Sequence, residues 1–148
     1  MQMNAKRMAG MLALAMFAAA GCASAKGPGE LSEKAAEKLA GFVQTGETVS
    51  CLSLTSIRSI DAIDDWRFLV RTNGGRYYLN TVSGKCSGAS RANTRIEYST
   101  SIAQLCRGQL IRVVDNSANF LTGSCGLRDF ERLDAAPDEG DVVEDAEQ

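Results

Sequence analysis

The stretch WRFLVRTNGGRYYLNTV, residues 66–82, decides the fold class. Trp66, Phe68 and Val70 alternate with other residues, and the second half of the stretch is again rich in aromatic and β-branched side chains. An Asn-Gly pair between two such runs is a strong short-range signal for a β-hairpin. We therefore predict two antiparallel strands joined at Asn73 and the two glycines that follow it.

Short runs of β-forming residues lie on both sides of this hairpin, and we predict strands over 49–54, 96–100 and 110–115. Isoleucines at every third position leave 57–63 ambiguous, and 102–106 fits either a helical turn or a strand end. The pattern predicts a mainly β (α+β) protein, a small antiparallel barrel or rolled sheet of about five or six strands. One N-terminal helix and two disulfides complete the expected domain.

The predicted helix covers residues 31–43, where apolar residues recur every fourth position. They are Leu31, Ala35, Leu39 and Val43, with Ser32 placed as the N-cap. The apolar stripe is thin, so the helix needs a surface to dock on if it is to be stable. We expect it to pack on its own domain, and the alternative is a partly ordered stalk.

The N-terminus has the features of a secretory signal peptide, which we assign to residues 1–21. Lys6 and Arg7 precede an apolar run of about a dozen residues, and small residues follow it up to Cys22. A run of that length is too short to cross roughly 30 Å of hydrocarbon as a helix. Export to the cell envelope is therefore expected.

Two cleavage sites compete after the apolar run. Ala19–Cys22 resembles a bacterial lipobox, with Ala19 where Leu is usual, and it predicts lipidation of Cys22 and a lipid-anchored spacer over 22–30. Ala23–Ala25 fits signal peptidase I instead and would release a soluble periplasmic protein beginning at Lys26. We favour the lipobox, and since Ala23 is not the Asp of inner-membrane retention, we expect an outer-membrane lipoprotein facing the periplasm.

The chain has five cysteines, and either cleavage leaves an even set of four: Cys51, Cys86, Cys106 and Cys125. In an oxidising compartment these four are expected to form disulfides. The sequence has no histidine and no C-x-x-C pair, so we expect neither a metal site nor a cofactor. Three pairings are open, and we expect the nested one, Cys51 with Cys125 and Cys86 with Cys106, because it ties the start of the domain to its end.

Charge is concentrated at the C-terminus. Residues 134–148 carry seven of the 18 acidic residues and no basic residue, although the net charge of the whole chain is only −2. We predict an acidic disordered tail there, after a folded domain over 31–133. The basic residues of the domain are spread along the chain, so nucleic-acid binding is not expected.

The segments around the four domain cysteines resemble a family of small proteobacterial exported proteins or lipoproteins that carry a four-cysteine domain of unknown function. The matching pieces are Cys51-Leu52, Tyr78-Leu79-Asn80, Cys86-Ser87-Gly88, Leu105-Cys106-Arg107-Gly108 and Gly123-Ser124-Cys125-Gly126-Leu127. The resemblance covers roughly residues 49–131. It implies export, disulfides and domain limits, and it implies no activity.

The hairpin also carries the candidate binding surface, in which basic and aromatic residues are interleaved. Its members are Trp66, Arg67, Arg71, Arg76, Tyr77 and Tyr78. Such a surface suits glycans or anionic lipid headgroups. The structural alternative places Trp66, Phe68 and Val70 in the core, with Arg67 and Arg71 solvated on the other side.

Catalytic residues are not predicted, because histidine is absent and no motif supplies an activated nucleophile. The acidic group Asp61, Asp64 and Asp65 lacks calcium-loop spacing and is expected to be an exposed turn. The first hypothesis is a non-enzymatic lipoprotein, a binding or accessory module anchored in the membrane, with an envelope protein or a glycan as partner. The second is a small periplasmic inhibitor of a secreted hydrolase, inserting a loop into a cleft. The third is an enzyme of unknown type, with a polar pocket at Asp64, Asp65 or Glu97.

Overall fold

The computed structural model describes residues 28–136, so the predicted signal peptide, Cys22 and most of the predicted tail lie outside the described residues. It contains one helix, α1 Glu33–Leu39, and ten strands. The strands are β1 Phe42–Val49, β2 Cys51–Ser53, β3 Ile57–Ala62, β4 Arg67–Thr72, β5 Tyr77–Thr81, β6 Thr94–Tyr98, β7 Gln104–Cys106, β8 Leu110–Asp115, β9 Leu121–Gly126 and β10 Phe130–Ala135. The mainly β class is confirmed, and the strand number of five or six is wrong. Residues 49–54 are divided between β1 and β2, and 42–48 and 130–135 form strands that their own sequence pattern does not indicate.

The strands form three antiparallel sheets. Their orders are β1-β10-β5-β4-β3, β2-β7 and β6-β8-β9. Within residues 28–136 they do not close into a barrel, because no described strand is hydrogen-bonded beyond β3 at the end of the first sheet or beyond β6 at the end of the third. The sheets therefore form an open roll with unpaired edges at β3 and β6.

The predicted hairpin is confirmed as β4 and β5, with Arg71 opposite Tyr77. The Thr72 N–H donates to the Arg76 carbonyl at 2.9 Å, and the Gly75 N–H donates to the Thr72 carbonyl at 3.0 Å. Gly75 has a φ of +74°, the left-handed conformation that glycine adopts without strain. The connection is therefore a three-residue loop whose left-handed residue is Gly75, a common hairpin type.

The helix is shorter than predicted. Ser32 is its N-cap, as expected, and accepts a hydrogen bond from the Ala35 N–H at 3.2 Å. Helical residues end at Leu39, and Phe42 enters β1 opposite Ala135. Pairing with β10 therefore takes over the last residues of the predicted helix. The helix packs on its own domain, because the Ala35 side chain is 0% exposed.

The hydrophobic core lies between the five-stranded sheet and the three-stranded sheet. Phe68 and Val70 enter it from β4, Ile111 and Val113 from β8, and Phe130 from β10, all at most 1% exposed. This alternation on β4 confirms the core-facing residues predicted from the sequence. Because both sheets contribute buried side chains, removing either layer would expose the core of the other.

The disulfides are Cys51–Cys106 and Cys86–Cys125, so the nested pairing of Cys51 with Cys125 and Cys86 with Cys106 is wrong. Cys51 lies on β2 directly opposite Cys106 on β7, with their Cα atoms 4.0 Å apart. Cys86 follows β5 and meets Cys125 on β9 at a Cα distance of 5.0 Å. The strand pairing brings these partners together, so the two disulfide-closed loops overlap along the sequence instead of being nested.

The folded domain extends beyond its predicted end at residue 133. Strand β10 continues to Ala135, and Asp134 pairs with Val43 of β1. The Asp134 carboxylate also forms an ion pair with Arg132 at 3.3 Å. The first two residues of the predicted tail therefore belong to the sheet, and residues 137–148 lie outside the described residues.

Candidate binding site

The six residues of the predicted hairpin surface do not lie together. Tyr78 is only 7% exposed and belongs to the core, because it pairs with Val70 and shares the inner face of the sheet. Tyr77 and Arg71 pair with each other on the opposite face, and the Arg71 guanidinium lies 5.7 Å from the Tyr77 ring centroid. Arg76 is exposed beside the hairpin loop. The basic and aromatic residues that alternate in the sequence therefore lie on both faces of the hairpin and do not form one surface.

Trp66 and Arg67 are the two members that stay together, in a depression of about 610 Å³ at the other end of the hairpin. Arg67 is not solvated as the structural alternative expected, since its side chain is 13% exposed. Its guanidinium donates to the Asp64 carboxylate at 2.7 Å and to the Gly29 carbonyl at 2.7 Å. These contacts fasten the chain ahead of α1 to the sheet and leave Trp66 half-buried beside them.

Asp65 organises the loop that follows β5. Its carboxylate accepts hydrogen bonds from the Ser90 N–H at 3.2 Å, the Ser90 hydroxyl at 2.9 Å and the Gly88 N–H at 3.4 Å. Lys85 lies 3.7 Å away. Burial raises the pKa of Asp65, but these hydrogen bonds and the Lys85 charge together outweigh it and hold the pKa below its ordinary value. The predicted exposed turn is wrong here, because the carboxylates of Asp64 and Asp65 are structural links.

Glu97, the third carboxylate considered for catalysis, forms an ion pair with Arg95 at 2.8 Å. Arg95 also donates to Asn116 at 3.1 Å and to Asn119 at 2.6 Å. These bonds brace the β8–β9 turn against β6. Within residues 28–136, no group of three or more cysteine or acidic side chains is arranged to hold a metal ion.

A groove of about 460 Å³ lies between β3 and β6, and we call it the seam. Residues 57–62 form one wall, and residues 94–96 with Tyr98 form the other. Ile60 and Ile96 pack against the hydrophobic core and give the seam an apolar floor. The seam is the place where the rolled sheets fail to close.

The hydrogen-bond pattern fixes which backbone groups of β3 point into the seam. The Ile63 N–H donates to the Arg67 carbonyl at 2.9 Å, so Ser59 and Asp61, which follow the register shift after Ile57, bond to β4. Ile60 and Ala62 therefore point their N–H and C=O groups away from β4. The Ala62 carbonyl accepts from the Lys38 ammonium at 3.1 Å, which covers one end of this edge and leaves Ile60 open.

The same reasoning applies to β6. The Asn116 N–H donates to the Asn93 carbonyl at 3.0 Å, so odd-numbered residues of β6 bond to β8. Ile96 and Tyr98 then point their backbone groups into the seam from the opposite wall. Within the part of the chain that the structure describes, no other segment donates to or accepts from the backbone of Ile60, Ile96 or Tyr98.

An apolar groove of about 450 Å³ runs between α1 and the outer face of the five-stranded sheet. Leu31, Leu39, Phe42 and Leu133 line it. The helix covers only part of this face, because its docking contact is the small residue Ala35. Nothing in the described residues indicates what else contacts this groove.

Sequence reasoning missed the seam. The polar residues that alternate with Ile96 and Tyr98 indicate a strand with one exposed face, and such a strand commonly lies at a sheet edge. That pattern is the one local signal that was present. It does not reveal that β6 meets β3, since that meeting depends on the order of strands in two sheets.

The fold and the seam define a small, disulfide-bonded antiparallel β domain with two open strand edges facing one groove. The chain belongs to a family described as "Family of unknown function (DUF6491)", which matches residues 5–136. No curated protein and no solved structure gives a significant match. Within residues 28–136, no helix is long and apolar enough to cross a membrane.

Proposed function

We propose that this protein is a lipid-anchored envelope protein that faces the periplasm and acts as a non-enzymatic binding module, with the seam as its ligand site. The signal-peptide pattern and the lipobox at Cys22 support the anchor. The two disulfides support an oxidising compartment. A spacer over 22–30 spans at most about 30 Å when extended, so the anchor would hold the domain close to the bilayer.

The observation that carries the binding role is the open seam. Exposed strand edges promote unwanted pairing, and proteins usually cover or interrupt them. Here Ile60 faces Ile96 and Tyr98 across a groove with an apolar floor, and all three have backbone groups pointing into it. A ligand that fills the groove and satisfies these groups would complete the rolled sheet.

The carboxylates named for an enzyme support the non-enzymatic reading. Asp64 is bonded to Arg67, Asp65 holds the loop at Gly88 and Ser90, and Glu97 is paired with Arg95. A general acid or base needs to be free to reach a substrate proton. These side chains instead connect strands and loops.

The inhibitor hypothesis has one supporting observation, the turn between β8 and β9. Phe120 is 55% exposed and Leu121 is 48% exposed, beside the Asn116 and Asn119 side chains that Arg95 braces. A rigid turn that presents an aromatic side chain suits insertion into a partner's cleft. If the protein is an inhibitor, binding of its partner should depend on Phe120. If the seam is the ligand site, binding should depend on the edge of β6.

The anchor is tested by intact mass spectrometry of the protein purified from a native-like host without reduction or alkylation. We expect the Cys22–Gln148 chain with a diacylglyceryl and an acyl group, less the four hydrogens lost in two disulfides. Separation of the outer and inner membranes on a density gradient then shows which membrane contains the protein. The Cys22→Ser variant is the control and should lose the lipid and the membrane fraction. An unlipidated wild-type chain that starts at Lys26 would contradict the proposal.

A further inference from the structure

We infer that the seam binds an extended segment of a partner polypeptide, which adds as a β-strand between β3 and β6. The inference rests on the proposed binding function, and it does not depend on the lipid anchor. A strand in this position would be paired on both sides. It would convert the open roll into a continuous sheet.

The backbone groups on the two walls specify the chemistry of the occupant. Ile60 points an N–H and a C=O into the seam from one side, and Ile96 and Tyr98 do so from the other. An extended peptide alternates its own N–H and C=O groups to opposite sides, so it satisfies both walls together. An acyl chain would fill the groove but would leave these groups unpaired.

The size of the seam agrees with a short strand. An extended residue in a packed sheet occupies about 160 Å³, from a rise of about 3.3 Å, a strand spacing of about 4.8 Å and a layer thickness of about 10 Å. The volume of about 460 Å³ therefore holds roughly three residues. The inward-pointing groups of Ile96 and Tyr98 also span three residues of β6.

The side chains around the seam select the middle residue of the occupant. Successive side chains of a strand point to opposite faces, so one side chain would point inward onto Ile60 and Ile96. Both are partly buried and pack against the core, so the matching side chain is aliphatic. The neighbouring side chains would point outward to solvent, near the exposed Arg58 at the mouth of the groove.

The test uses residues 22–148 with Cys22→Ser and both disulfides formed, panned against a random nonapeptide library on phage. Two variants form a matched pair. Tyr98→Pro removes the inward-pointing N–H at the end of β6, and Tyr98→Ala removes the same side chain but keeps the N–H. We expect selected peptides to bind the Pro variant at least tenfold more weakly than the Ala variant. Circular dichroism and non-reduced mass confirm that each variant is folded.

A second measurement does not depend on any variant. Consecutive N–H groups of an inserted strand go to opposite walls, so methylating either of two adjacent amides at the centre of the peptide should weaken binding tenfold or more. Amide NMR shifts caused by the peptide should centre on Ile60, Ile96 and Tyr98.

Three results would each overturn the inference: no enriched peptide after four rounds, equal binding to the Pro and Ala variants, or peptides that tolerate both methylations. Failure here leaves the lipid mass and membrane fraction unchanged, so it is distinguishable from failure of the anchor.

Discussion

Replacing Gly123 with alanine should destabilise the domain more than any other single methyl addition at its described glycines. Gly123 lies on β9 opposite Val113, and its Cα faces the loop after β5. A Cβ atom there would lie 2.6 Å from the Ser87 carbonyl oxygen and 2.7 Å from the Ser87 nitrogen. Both are backbone atoms, so no side-chain rotation relieves the contact.

The loop cannot move away easily, because it is held on both sides of the contact. Cys86, next to Ser87, is 0% exposed and is bonded to Cys125, two residues beyond Gly123. The Cys86 N–H donates to the Asp65 carbonyl at 2.8 Å. Overpacking alone costs about 1–3 kcal/mol. On the other side of Ser87, the N–H groups of Gly88 and Ser90 donate to the Asp65 carboxylate. A shift of the loop that breaks one of these hydrogen bonds adds about 1.5–3 kcal/mol. Together they give an expected loss of about 2.5–6 kcal/mol.

Urea unfolding followed by the fluorescence of Trp66, the single tryptophan, measures this loss. The change should appear as a lower midpoint at constant slope. Gly41→Ala is the control, because a Cβ there meets no atom within 4 Å, and it should change stability by less than about 1 kcal/mol. A Gly123→Ala variant with both disulfides and a stability within about 1 kcal/mol of wild type would refute the packing argument.

Three further changes test the polar and covalent links. Asp65→Asn should cost about 1.5–3 kcal/mol at pH 7. Because the folded pKa of Asp65 is lowered, its contribution to stability is present above pH 3.8 and is lost as the pH falls further. Below pH 3.8, the urea midpoint should therefore fall less steeply with pH for the variant than for wild type. Asn80→Ala should cost about 3 kcal/mol in the same assay, because Asn80 is 0% exposed and its amide bonds to the backbone of residues 128 and 129; a loss below about 1 kcal/mol would contradict this. Replacing Cys86 and Cys125 with alanine opens a loop of 39 residues and should cost about 4 kcal/mol, or roughly 20 °C in Tm by calorimetry, and an unchanged Tm would contradict it.

Local features of the fold could be predicted from the sequence. The Asn-Gly-Gly hairpin and the Ser32 cap depend on residues a few positions apart, so the sequence pattern contains the relevant information. The helix end was predicted less well. Val43 continues the helical spacing, but its pairing with Asp134 of β10 places it in a strand. A pattern within the thirteen residues of the predicted helix, 31–43, contains no information about this pairing.

The disulfide pairing shows the same limit. Cys51 and Cys106 are 55 residues apart and meet because β2 pairs with β7, two strands of three residues each. Strands that short carry little pattern, and 102–106 was ambiguous for that reason. Tying the ends of a domain together is a reasonable guess when strand order is unknown, but the strand order decides the pairing.

The candidate site was partly predictable. Alternation along β4 correctly assigned Phe68 and Val70 to the core. Dividing Tyr77 from Tyr78 required the register of β5 against β4, and the seam required the order of strands in two sheets. The sequence of one hairpin could therefore predict only a local group of residues. The seam lies between segments that are distant in the sequence.

The treatment of the other sheet edges strengthens the argument for the seam. The outer edge of β1 is interrupted by a bulge at Gly46, where φ is +77°. The outer edge of β9 is covered, since the Gly126 carbonyl accepts from the Ser83 N–H at 2.9 Å and Gly123 lies against Ser87. Both devices remove an edge from pairing. Lys38 does the same at one end of β3. Strand β3 also has a register shift between Ile57 and Ser59, so the open part of its edge is short and centres on Ile60, across the seam from Ile96 and Tyr98. This short open stretch of β3 and the facing edge of β6 are the backbone groups with which the inferred peptide strand would pair.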